Sequence, residues 1–336
     1  MKDLLWRGLA GLLVLALLLL LGGAVLNVLR AQTAAQPQEA RLGGATPTLA
    51  ASALASTPTA TATFTASPPY RVATWRDVSY GPEASAGEVL DLCAPVGAAA
   101  PRPGVLLIHG GTWTSGDKSA YTTTCALLAT RGFVAATLNY RLAPTYHWPA
   151  QLVDVQLAMR WLRAHASDYD LDPRRVCALG DSAGGHLAAL LSVLGTIQAG
   201  DQAGLLTDQP VRASCLVDLF GPVDLATIGT PAERQALFQG LFGDAALQQD
   251  PGIVRAASPL FAVSPQSAPT LIIQGTQDTL VPPSQSQAFQ QALERAGVPV
   301  QSISYVGGHE FSGLSQSEVD ALTRQAEDFL MAQEQP

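Results

Sequence analysis

The run Gly180-Asp181-Ser182-Ala183-Gly184-Gly185 constrains this chain more than any other stretch. It follows the apolar, β-branched segment Arg175-Val176-Cys177-Ala178-Leu179 and opens the Ala-rich helical segment His186-Leu187-Ala188-Ala189-Leu190-Leu191. A G-x-S-x-G at a strand-to-helix junction is the nucleophile-elbow pattern, a strained turn that lifts a serine hydroxyl off the end of a sheet. Side chains two residues before and after Ser182 would meet the neighbouring strand and helix, so those positions call for glycine. The helix N-terminus brings backbone N–H groups and a partial positive charge to the hydroxyl. A negative tetrahedral oxygen would form there during acyl transfer. Alone, the motif is equally well a Gly-rich left-handed turn. Its context decides between the two.

Upstream, Val105-Leu106-Leu107-Ile108 reads as a strand that runs into His109-Gly110-Gly111-Thr112-Trp113. A strand ending in H-G-G supplies the second half of an oxyanion hole. The backbone must present N–H groups there, and glycine lets it come close. Chain order in this architecture is Ser, then Asp or Glu, then His. Of the five histidines, His109, His147, His165, His186 and His309, only His309 lies well downstream of Ser182. It sits on a Gly-flanked loop after the strand-like Val300–Tyr305 and suits a general base. Asp278 follows the buried-strand pattern Pro269–Gly275 and is the acid expected to orient His309. The rival is Asp224, whose Pro222-Val223-Asp224 setting reads as a turn or cap. His109 reads as a brace for the H-G-G loop, and His186 as a helix residue pointing away from the elbow. His147 reads as a loop residue. Ser115-Gly116-Asp117-Lys118 matches S-x-x-K but lacks the partner motifs and is taken as coincidence. No Cys/His spacing suits zinc, and no Gly-rich loop runs into Lys-Ser/Thr, so neither metal nor cofactor is expected.

Residues 70–336 suffice for one α/β domain with a large core. Strand-like runs alternate with amphipathic helical patterns at Pro149–His165, Ser284–Ala296 and Ser317–Ala332. That alternation predicts a mostly parallel sheet with helices on both faces. The stretch Ala226–Ser264 is too long and too helical for a plain connector and is expected to form a small cap over the site. Before the domain, Gly8–Leu29 is uncharged and long enough to cross a bilayer. Residues 1–30 are therefore expected to be a membrane anchor, with a cleaved signal segment as the alternative. Residues 31–69 are rich in Ala, Thr and Pro and are expected to be a disordered linker. The catalytic domain would then be extracytoplasmic, held at the membrane or secreted after cleavage. The net charge is −8 and the only lysines are Lys2 and Lys118, which excludes an electrostatic nucleic-acid surface. Cys93, Cys125, Cys177 and Cys215 allow three full pairings. Cys177 and Cys215 fall in predicted core strands, where buried free thiols are the expected state.

These residues resemble the α/β-hydrolase superfamily, within it the esterase/lipase group that carries H-G-G-x-W. That group includes hormone-sensitive-lipase-like, feruloyl-esterase-like and acetyl-xylan-esterase-like carboxylesterases and kynurenine formamidases. Leu90–Pro95 is similar to the group's second strand, Asn139–Pro144 to its "YRLAP" segment, and Gly275–Asp278 to its "HGTxD" acid loop, with Gln274 where His is usual. The resemblance implies Ser182 as nucleophile, Asp278 as acid and His309 as base. It implies the N–H groups of Gly111, Thr112 and Ala183 as oxyanion donors, supported by the loop residues His109, Gly110 and Trp113. Thr112 stands where lipase-like members carry a third Gly, yet it keeps its N–H. The implied activity is hydrolysis of a small carboxylic ester through an acyl-enzyme. Hydrolysis of a formamide by the same residues is one alternative. A catalytically inactive, surface-binding hydrolase domain is another. Acyl chain length, alcohol and oligomeric state are written in none of these motifs.

Overall fold

A computed structural model describes residues 70–333 apart from 84–86, 98–100 and 201–203. The expected anchor or signal segment (1–30) and linker (31–69) lie outside the described residues. Among the described residues no helix is long and apolar enough to cross a membrane.

Eight strands among these residues form one sheet: β1 Arg71–Ser79, β2 Val89–Val96, β3 Arg102–Ile108, β4 Val134–Leu138, β5 Leu171–Asp181, β6 Leu216–Leu219, β7 Thr270–Gly275 and β8 Val300–Tyr305. Their order is β1-β2-β4-β3-β5-β6-β7-β8. The pairs β1/β2 and β2/β4 are antiparallel, and from β4 to β8 every pair is parallel. Strands β3, β4 and β7 are near-continuous Val/Ile/Leu/Ala runs because both of their faces are covered. Successive side chains point to opposite faces. Val105 and Leu107 therefore join one apolar layer with α1 (Thr122–Thr130) and α8 (Gln316–Gln333). Leu106 and Ile108 join the other with α2 (Ala150–Ala164), α3 (Ala183–Val193) and α7 (Pro283–Arg295).

Between β6 and β7 the chain makes a helical excursion: α4 Pro231–Phe242, α5 Asp244–Gln249 and α6 Ile253–Ala256. Local sequence starts α4. Thr230 and Glu233 form a reciprocal capping box, and Pro231 occupies the first turn. The excursion is tied to the body by Trp148, whose N–H donates to the Leu241 carbonyl at 2.8 Å. Arg141 of the Asn139–Pro144 segment is buried and grips Asp154 through its backbone N–H and its guanidinium, which pins the loop after β4 to α2.

The cysteines correct the free-thiol expectation. Cys93 bridges to Cys125 and Cys177 to Cys215, with Cα separations of 5.8 and 4.5 Å. The parallel register Ala178↔Leu216 sets Cys177 beside Cys215 on the neighbouring strand, and Cys93 of β2 faces Cys125 of α1. Strand order creates the second pair and the packing of α1 on β2 the first, and a single sequence displays neither.

Candidate active site

Four loops converge at the C-terminal ends of the parallel strands, the edge where open α/β sheets bind ligands. Ser182 follows β5 at the head of α3, with φ 50° and ψ −119°. A left-handed serine persists only where its surroundings dictate it. A Cβ at Gly180 would run into the Gly184 carbonyl, and one at Gly184 into the Ile108 carbonyl of β3. The two glycines thus let strand, turn and helix close on each other.

Ser182, His309 and Asp278 are brought together from three loops. His309 Nε2 lies 2.9 Å from Ser182 Oγ, and its Nδ1 lies 2.6 Å from Asp278 Oδ2. The other carboxylate oxygen, Oδ1, accepts the N–H groups of Leu280 at 3.0 Å and Val281 at 2.9 Å. Burial alone would push the Asp278 carboxyl up. The His309 hydrogen bond and these amides outweigh it and hold it below the usual carboxylate range. Gln274 adds a donor, its Nε2 lying 3.2 Å from Asp278 Oδ2, while Ser286 Oγ donates to Gln274 Oε1 at 2.7 Å and sets the amide's orientation. His309 also meets the edge of Phe220, 5.0 Å between centroids, and Phe220 in turn meets Phe311. Asp224 lies elsewhere: its side chain caps the short turn Leu225–Thr227 by accepting the Ala226 N–H at 3.0 Å.

The His109–Trp113 loop closes on the elbow through Asp181. Asp181 Oδ1 accepts the Gly110 N–H at 3.0 Å and the Tyr121 hydroxyl at 2.8 Å, and burial raises its pKa. Gly111, Thr112 and Trp113 turn left-handed in succession, with φ of 108°, 51° and 62°. Ala183 is the first residue of α3. The buried His109 ring stacks on Tyr140 at 4.4 Å, and its Nδ1 faces the Gly110 carbonyl at 2.7 Å. Burial holds this imidazole below its ordinary pKa. Tyr140 Oη donates to the His109 carbonyl at 3.0 Å, so the "YRLAP" segment braces the H-G-G loop. His147 is exposed and its Nδ1 lies 3.1 Å from the Gly240 carbonyl. His165 stacks on Trp161. Lys118 pairs with Asp77 and Asp91 at the sheet edge.

Asp181, Gln274, Tyr140 and His186 act on this site without a role assigned to them from sequence. Asp181 stands within the motif, one residue before Ser182, and His186 directly follows the motif, four residues after Ser182; that proximity is the available signal. His186 is fully buried in the structure. A cavity of about 470 Å³ lies between α1 and α8, with Asp181, Phe220 and Phe311 in its wall but not Ser182, His309 or Asp278. Its size is that of a small-molecule pocket.

The BD-FAE family model matches residues 90–293, which span β2, the elbow, the acid loop and most of α7. The chain belongs to the BD-FAE family. It thereby joins the esterase group of the α/β-hydrolases. It is 32% identical over 225 residues to Esterase LipQ of Mycobacterium tuberculosis, covering 66% of this chain and 53% of that protein. The chain spans about half the length of the curated relatives it matches first. Among solved structures, a truncated carbohydrate esterase from gut microbiota superposes with a TM-score of 0.65 at 27% identity, over 80% of this chain and 98% of that one. An acetyl ester-xyloside bifunctional hydrolase from Caldicellulosiruptor lactoaceticus gives 0.62 at 28% identity, over 73% and 88%.

Proposed function

We propose that this chain hydrolyses carboxylic esters through an acyl-enzyme on Ser182. The observation that carries the reading is the continuous hydrogen-bonded line Ser182 Oγ, His309, Asp278, at 2.9 and 2.6 Å. In this mechanism His309 Nε2 takes the hydroxyl proton as Ser182 Oγ attacks the ester carbonyl, then returns it to the departing alcohol. Asp278 orients His309 and stabilises its charged form. The amides of Gly111, Thr112 and Ala183 receive the tetrahedral oxygen, each such donor being worth about 3–4 kcal/mol in the transition state. Water then attacks the acyl-Ser182 carbonyl and His309 repeats its proton transfers, releasing the acid. Relatives named as esterases support an ester over a formamide, and the complete triad argues against a binding-only role. The names of the two solved relatives favour an acylated carbohydrate as the substrate class.

The deciding experiment follows p-nitrophenyl esters from acetate to decanoate with wild type and Ser182→Ala. Wild-type turnover that falls at least about 10⁴-fold in the variant is the expected result. A folded wild type that turns over N-formyl substrates and no ester would reverse the assignment.

We also infer that the catalytic domain works outside the cytoplasm, anchored by or cleaved from residues 1–30. The uncharged run Gly8–Leu29 and the two disulfide bridges, which belong to oxidising compartments, support this. Fractionation with N-terminal sequencing of the mature protein tests it, and intact, reduced protein in the cytosol would refute it.

A further inference from the structure

Three consecutive residues of the H-G-G loop have positive φ, and two of them, Thr112 and Trp113, carry a Cβ. Such a turn keeps its shape only if something outside it imposes that shape. The restraint falls on Trp113. Its carbonyl accepts the Ala143 N–H at 2.9 Å, and its side chain is 1% exposed. The indole Nε1–H donates to His186 Nδ1 at 3.2 Å, and the two rings meet edge to face at 5.1 Å. His186 stands on α3, four residues after Ser182, and is 0% exposed. Its Nε2 lies 2.7 Å from the Ala257 carbonyl, at the end of α6 in the excursion between β6 and β7.

Chemistry settles the tautomer. An indole N–H only donates, so Nδ1 must accept, and a carbonyl only accepts, so the proton is on Nε2. A protonated ring would turn a second N–H against the indole. Burial prevents that by pushing the imidazole down to about 4. A neutral imidazole thus spans from the excursion to the oxyanion loop.

We propose that His186 is a positioning residue that holds Trp113, and through it the Gly111–Thr112 amides, at the height that receives the tetrahedral oxygen above Ser182. The proposal rests on the ester-hydrolase reading. It adds that the Trp113–His186–Ala257 chain makes the oxyanion loop, the nucleophile helix and the excursion one mechanical unit.

The test uses Trp113→Phe, His186→Gln and His186→Asn. An Asn side chain keeps an acceptor near the place of Nδ1, whereas Gln keeps a donor near Nε2 and gives up the indole. Active sites are counted by labelling with a fluorophosphonate, so that unfolded protein does not enter kcat. Trp113→Phe and His186→Gln are expected to lower kcat per labelled site about tenfold or more, with KM within about twofold, the signature of a transition-state contact. His186→Asn should recover most of that loss. The double variant Trp113→Phe/His186→Gln should be no worse than the poorer single one, because both break one link. A kcat per labelled site unchanged in Trp113→Phe and His186→Gln would overturn the proposal, as would effects that multiply in the double variant. Absence of ester turnover in the wild type would instead sink the ester reading.

Discussion

At the scale of single residues the site is built from short charge-assisted contacts whose partners come from different loops. Asp278 shows how its role is set. The carboxylate sits on Leu280 and Val281 amides and on Gln274, so it stays ionised and aims one oxygen at His309. Asp278→Asn should lower kcat about 10³–10⁴-fold with little change in stability, because an amide favours the wrong His309 tautomer. Asp224→Asn should leave kcat within about twofold and cost about 1 kcal/mol at most, since the amide oxygen can still accept the Ala226 N–H and only the charge of the cap is lost. Steady-state kinetics and urea titration of both variants check the pair. That His309 and Asp278 would come to Ser182 was legible from chain order and loop context. The contributions of Asp181 and His186 were not, because their partners Gly110 and Trp113 lie 71 and 73 residues away in the chain, and that of Gln274 was not, because Ser286 of α7 sets its amide.

Elements carry the next level of constraint. The elbow works because β5 hands over to α3 with no side chain at Gly180 or Gly184. Gly184→Ala would drive a Cβ into the Ile108 carbonyl, which is backbone in the middle layer of the sheet and gives little. Overpacking of this kind costs about 1–3 kcal/mol, and it should cut kcat more than it cuts stability because the shift falls on Ser182. Thermal melts and kcat measured on the same preparation separate the two effects. Helix positions at α2, α7 and α8 were readable from apolar periodicity to within a residue or two. The helices of the excursion were readable as helical content, and the capping box at Thr230–Glu233 marks one start. Their attachment to Trp148 and His186 was not readable, because it depends on where the excursion lands.

Over the whole molecule, two bridges and buried acids, Asp218 foremost, shape how stability responds to conditions. The bridges close sequence separations of 32 and 38 residues, for which loss of unfolded-chain entropy gives about 3–4 kcal/mol each. Unfolding in reductant should therefore begin at markedly lower denaturant than under oxidising conditions. Asp218 is buried on β6, where it accepts the Gly221 N–H at 2.9 Å. Burial pushes its carboxyl up to about 7 from a usual 3.8. Between those values the folded state keeps a proton that the unfolded state releases, so this group's contribution is complete below about pH 4 and is lost as pH rises through about 7. Asp218→Asn mimics the neutral acid and should flatten that part of the profile, leaving the variant more stable than wild type near pH 8 by a few kcal/mol. Urea titrations of both proteins from pH 4 to 8 give the difference directly.

The sequence by itself determined the class of fold, the strand-to-helix turn at Ser182 and the two downstream loops that bring Asp278 and His309 to it. These rest on local rules: glycine where backbones touch, continuous apolar runs where a strand is covered twice, and turn residues where a strand ends. Only the tertiary structure decided which cysteines pair, what holds the left-handed turn at Gly111–Trp113, and that His186 joins Trp113 to Ala257. Those contacts join residues distant in the chain. Strand order and the landing point of the β6–β7 excursion create them, and both emerge from packing the whole core at once.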